Sequence, residues 1–107
     1  MNYIEHYDEE LDLAFEIPEL DMSGYATLED FFEGEAALVN AALLSALYNA
    51  IEMELDQVPV FAVKESDSVV SISRDQYEEK IESCIEYFTL IEEYEFCTVL
   101  TKLKAKL

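Results

Sequence analysis

A chain of 107 residues has room for one domain with its own core, and 25 Asp and Glu against 6 Lys and Arg give it a net charge of −19. That balance excludes direct nucleic-acid binding and adhesion to anionic membrane surfaces, both of which need positive charge. Hydrophobic residues nevertheless make up 51% of the chain and mean hydropathy is +0.02, more apolar content than a disordered acidic tail carries, so residues 1–107 are expected to fold as a single acidic globular domain.

The first element expected is a strand at Leu11–Ile17, where Leu11, Leu13, Phe15 and Ile17 alternate with small or acidic residues until Pro18 ends the run. Thr27 then caps a helix over Leu28 to about Leu55, with Asp30 at the third position of a weak capping box and Gly34 tolerated inside it. Its middle, Ala36 to Ile51, is free of charge and is read as the buried core helix, with a homodimer seam as the less favoured use of its small residues. Val58–Val63 and Ser68–Ser73 flank Lys64-Glu65-Ser66-Asp67 as a hairpin, and Pro59 places the first of its strands near an edge.

Ser73 and Gln76 form a capping box for a second helix, behind which Tyr77, Ile81, Cys84, Ile85, Phe88 and Ile91 recur at helical spacing. The apolar phase shifts at Glu92–Glu95, so a turn and a short terminal helix carrying Lys102, Lys104 and Lys106 should follow. The sum is an α+β fold: a small antiparallel sheet, made of the N-terminal strand plus the hairpin, packed on a long central helix and a C-terminal helical segment.

The residues offer no chemistry of their own. Cys84 and Cys97 lie on apolar stripes far in sequence from the lone His6 and read as reduced core thiols of a cytoplasmic protein. His6 beside Asp8 has no second histidine, calcium-loop spacing or short-spaced cysteine pair to complete a metal site. Only Gly24 and Gly34 are glycines, too few for a phosphate-cradling loop, and no carboxylate pair stands out for acid–base work. No leader of basic then apolar residues is visible, and no run reaches the ~20 apolar residues of a membrane span. The expectation is a protein that is not an enzyme and carries no catalytic residue, cofactor or metal.

Charge is the informative feature. Residues 1–63 hold no Lys or Arg and fifteen acids, while residues 64–107 hold ten acids and all six bases. Three acidic groups emerge. Asp75, Glu78, Glu79, Glu82 and Glu86 fall at three- and four-residue steps, so they line one face of the second helix over roughly 16 Å. About one charge per 3 to 4 Å resembles the one phosphate per ~3.4 Å along a strand of duplex DNA. Glu5, Asp8, Glu9, Glu10 and Asp12 are interleaved with Tyr3 and Tyr7, a mixture that suits an interface, although an acidic first turn or a frayed terminus is an equally plain reading. Glu29, Asp30 and Glu33, with Glu35, occupy the start of the long helix, where the helix dipole favours negative charge.

A solvated face explains any one of these groups, but solubility alone needs a net charge of only about 2 to 8, and ordinary surfaces mix signs. The expected function is therefore a nucleic-acid mimic that occupies the basic groove of a DNA- or RNA-binding protein or nuclease. In size and charge the chain is similar to the small acidic phage proteins that antagonise bacterial defences, a likeness of class that no motif narrows to a family. The alternatives are an antitoxin or immunity-type protein capping a basic toxin, and a non-catalytic adaptor that binds through its neutral helix. Adaptation to high salt ranks last, since Glu outnumbers Asp and Ile, Phe and Tyr are plentiful.

Overall fold

The computed structural model describes residues 2–107. Its elements run β1 (Asn2–Asp8), β2 (Leu13–Leu20), α1 (Leu28–Gly34), α2 (Ala36–Glu52), β3 (Gln57–Val63), β4 (Val69–Ser73), α3 (Arg74–Leu90) and α4 (Tyr94–Lys104). The α+β class is as the sequence implies: one sheet with α2 packed on β3, α3 on α2 and β4, and α4 on α2 and α3.

The sheet has four strands in the order β1-β2-β3-β4 and carries one parallel junction. The acidic N-terminal run is a full strand, antiparallel to β2 from Asn2↔Glu19 to Asp8↔Leu13. Residues 2–8 form neither an acidic first turn nor a frayed segment, because the alternating apolar face of β2 supplies a pairing partner next in sequence. Pro18 lies within β2, which runs on to Leu20, and sits buried opposite Tyr3.

Pro59 was expected near an edge, yet β3 lies inside the sheet. The reason is the shortness of the parallel junction: β2 meets β3 only at Glu19↔Ala62 and Leu20↔Val63, with the Lys64 N–H donating to the Leu20 carbonyl at 2.9 Å. At the level of Pro59 that side of β3 has no strand to serve, so the missing N–H costs no ladder bond. A register shift between Pro59 and Phe61 bends the strand at the same place.

The long helix expected from Leu28 to about Leu55 is two helices, α1 and α2, meeting at 89°. Gly34 is the reason, through close approach: a Cβ there would lie 2.5 Å from Tyr25 Cε1. The Tyr25 ring is held in place by an edge contact with Phe31, centroids 5.5 Å apart, and its hydroxyl donates to Glu35 Oε1 at 2.7 Å. That carboxylate holds the Tyr25 phenol above its usual pKa range. The Thr27 cap is present, Oγ1 accepting from the Asp30 N–H at 3.1 Å, and the Ser73 N–H donates to Gln76 Oε1 at 3.0 Å at the start of α3.

The core is wholly apolar. Phe31, Leu47, Val58, Val60, Phe61, Tyr77, Ile81, Cys84, Leu100 and Leu103 are sealed inside it, and among the described residues no charged or polar side chain is buried. Burial pushes the Cys84 thiol up to about 12, and Cys97, half-buried, faces the Ile85 carbonyl at 3.6 Å; both are free. One junction ties the layers. The Leu55 carbonyl accepts the Tyr77 hydroxyl at 2.9 Å and Arg74 Nη2 at 3.3 Å, while Asp56 takes Arg74 Nε on its carboxylate at 2.9 Å and the Arg74 N–H on its carbonyl at 2.8 Å. The loop leaving α2 is thus fastened to the first turn of α3.

Gly34→Ala should destabilise the protein by about 1–3 kcal/mol, the cost of forcing a methyl against a ring that cannot swing away freely. In a thermal melt, adding Tyr25→Ala to that variant should cost less than it does in the parent chain, because the two changes share one contact. Simple additivity would show that the corner does not depend on this approach.

Candidate functional site: three acidic surfaces

The 25 acidic side chains all reach the surface. Among the described residues four of them meet a cation within 4.0 Å: Asp56 with Arg74, Glu52 with Lys106, and Glu78 and Glu82 with Lys104. Lys64, Lys80 and Lys102 pair with no carboxylate among the described residues, so the rest of the acidic surface is unneutralised at short range.

The α3 stripe forms as the sequence implies. Asp75, Glu78, Glu79, Glu82 and Glu86 are all exposed, opposite the buried Tyr77, Ile81, Cys84 and Phe88. The periodicity that sends those apolar residues inward sends the carboxylates outward. Two corrections to a bare row of charges come from α4 and from the cap: Lys104 reaches Glu82 at 2.8 Å and Glu78 at 4.0 Å, and the Ser73 hydroxyl donates to Asp75. The Glu82 carboxylate, through this hydrogen bond and its charge, raises the Lys104 pKa, so the ammonium stays charged across the physiological range.

The N-terminal group divides into turn builders and free faces. Asp8 Oδ1 accepts the N–H groups of Glu10 and Leu11 at 3.0 and 3.1 Å, and Asp12, with φ 55, takes the Tyr7 hydroxyl. That bond, chiefly, holds the Tyr7 phenol above its usual pKa. Glu10 receives Gln57 Nε2 at 2.8 Å, and Glu9 is exposed. Asp8 and Asp12 therefore act first as turn residues, a role for which short carboxylates are well suited.

The antiparallel register brings to this group a residue the sequence reading missed. Glu5 lies directly opposite Glu16, Tyr3 opposite Pro18 and Tyr7 opposite Ala14, all on one strand face. Tyr3 and Tyr7 are 56% and 53% exposed, flanking two like charges that face each other and, among the described residues, form no ion pair with a cation. Directly opposed like charges are destabilising in a sheet. The alternation of β2 carries the signal for Glu16, but only the pairing with β1 reveals its neighbour.

Glu29, Asp30 and Glu33 are exposed on α1, a helix of only seven residues, with Glu29 and Asp30 in the first turn where they suit the dipole. The three groups do not merge in the chain order of the sheet. β1 is one edge and β4, which leads into α3, is the other, three strand spacings or roughly 14 Å away.

The neutral helix is chiefly core: Val39, Ala42, Ala46, Leu47, Ala50 and Ile51 are buried. On its outer side α2 lines a shallow uncharged groove with α4, at Leu44, Ser45, Tyr48, Asn49, Phe96 and Val99, while Ala36, Val39, Asn40 and Leu43 line a second pocket bordered by Glu33 and Lys80. Among the described residues no cluster of three or more potential metal ligands occurs, and no single helix is long and apolar enough to cross a membrane.

Comparison with models of protein families, with curated proteins and with solved structures found no match to this chain.

The charge distribution has a thermodynamic signature. Unpaired carboxylates at this density repel one another and destabilise the compact state, and salt screens that repulsion. Raising NaCl from about 10 mM to about 500 mM, where the Debye length falls from roughly 30 Å to under 5 Å, should raise the melting temperature by several degrees. A flat or falling curve would mean that the few ion pairs outweigh the repulsion.

Proposed function

We propose that this protein is an inhibitor by occupancy: it presents the α3 carboxylates to the basic groove of a nucleic-acid-binding protein or nuclease and excludes the natural ligand. The observation that carries the reading is the α3 face itself, five exposed carboxylates in register on a rigid helix whose opposite side is locked into the core. Lys and Arg side chains arrayed for phosphates meet there a row of similar charge density, and a helix holds its spacing without the entropy cost of ordering a disordered acidic tail. No chemical turnover enters this mechanism, and the target gains its specificity from the shape around the row.

Neutralising Asp75, Glu79 and Glu86 to Asn, Gln and Gln should weaken binding to the captured target at least tenfold. The same charge change at Asp67, Glu93 and Glu95, which are exposed and belong to none of the three groups, should cost much less. Glu52 and Asp56 make poor controls because each holds a basic residue of its own chain. The measurement is a salt-gradient pull-down from host lysate followed by titration of the identified protein, with nonspecific duplex DNA as competitor. Equal losses in the two triple variants would leave only bulk charge.

One observation favours a second reading, the capping of a basic toxin. The β1–β2 face combines Tyr3 and Tyr7 with Glu5 and Glu16, the pairing of aromatic anchors with carboxylates found at binding hot spots. If this face leads, Tyr3→Ala should cost about 2 kcal/mol of affinity for the captured partner. In that case the α3 variant would bind normally and DNA would fail to compete.

A further inference from the structure

Neither the α3 band nor the β1–β2 face accounts for a half-open pocket of about 380 Å³ between α2, β3, β4 and α3. Its buried lining is Val39, Val60 and Ile72, and the half-buried Phe32, Leu43 and Val70 border it. The 89° corner at Gly34 brings α1 to the pocket, where Phe32 and Glu33 line it. Size and lining both match small-molecule sites, which are concave, mostly apolar and furnished with few polar groups.

One of those polar groups is a cation left without a partner. Lys80 lines the pocket from α3, half-buried, and among the described residues it pairs with no carboxylate, although the chain has 25 of them. Lys64 and Lys102 are unpaired as well, but both are exposed to water. Glu33 shares the pocket and lies beyond ion-pair distance of Lys80. Burial raises the pKa of the Cys84 thiol and the Lys80 charge works against that rise, so the ammonium is felt on the inner side of α3. Ser83, close to one helical turn further along α3, adds a hydroxyl to the same lining.

We propose that this pocket binds a small amphipathic acid, its apolar body on Val39, Val60 and Ile72 and its single carboxylate on Lys80, with the Ser83 hydroxyl as a second donor. Charge complementarity selects the head and the apolar lining selects the body. One ammonium on a chain of net charge −19 answers one anionic group, whereas a polyanion such as a nucleotide is repelled by the surrounding carboxylates. The volume gives room for about a dozen non-hydrogen atoms if each takes roughly what a water does in the liquid. Burial of the body supplies the affinity, and charge-assisted hydrogen bonds fix the orientation.

The probe is octanoate, titrated calorimetrically into the full chain near neutral pH, with octanol as its uncharged counterpart. The wild-type chain should bind octanoate saturably at one site. Lys80→Met should weaken octanoate binding roughly three- to tenfold, the worth of one partly exposed charge-assisted bond, and leave octanol within about twofold. Lys102→Met removes the same charge from an exposed position on α4 and should leave both ligands unchanged. In amide NMR spectra the shifts on adding octanoate should centre on Val60, Val70 and Ile72. Absence of saturable octanoate binding would overturn the proposal. So would equal losses of octanoate and octanol in Lys80→Met, an equal loss of octanoate in Lys102→Met, or shifts centred on the groove between α2 and α4.

Discussion

Mutual repulsion among carboxylates is the constraint to which every layer of this molecule answers. With a net charge of −19, no acidic side chain can be taken inside without a cation to meet it, and the chain has six to offer. The core consequently excludes charge altogether and is closed with Phe, Leu, Ile, Val and one tyrosine whose hydroxyl is satisfied by the Leu55 carbonyl. Three of the six cations go where separate elements are held together against the repulsion. Arg74 ties the α2–β3 loop to α3, Lys106 ties the chain end to α2, and Lys104 ties α4 to α3. Each sits at a junction between elements distant in sequence, where a single attraction offsets the most loosening.

That distribution also shapes how the surface can be used. Among the described residues the carboxylates on the open faces of α1 and the β1–β2 hairpin meet no cation, and α3 carries three such carboxylates beside the Glu78–Glu82 pair that Lys104 reaches. The hairpin adds tyrosines, while α3 adds regular spacing. A basic groove and a compact basic knob would select different faces, which is why the two functional readings diverge on named residues. The neutral groove between α2 and α4 lies on the side of α2 turned away from its buried residues, which pack on β3 and α3.

Much of this was legible in the residues. The period of Tyr77, Ile81, Cys84 and Phe88 placed α3 and its acidic band, the Ser73–Gln76 box placed its start, and the phase shift near Glu92 separated α4. These signals are local, acting within one or two turns. What escaped depended on partners remote in sequence. The break at Gly34 needs the Tyr25 ring, which only folding brings alongside it. The strand character of residues 2–8 needs β2, the interior position of Pro59 needs the short parallel junction, and the Glu5–Glu16 opposition needs the hairpin register. Lys104 reads in sequence as a cation completing a helix C-terminus; its contact with Glu82 spans 22 residues and no periodicity announces it.

The position of β1 carries a consequence for the life of the protein in a cell. A seven-residue strand at the open rim of a sheet offers a row of unsatisfied amides to any similar strand, and its tyrosines and Ile4 would make such contacts adhesive. The acidic side chains of Glu5 and Asp8 on this strand act as gatekeepers against that stacking. Toward the isoelectric point of about 4.1 the net charge that keeps the molecules apart disappears. The charge that crowds this surface with carboxylates is thus also what sets copies of the chain against one another.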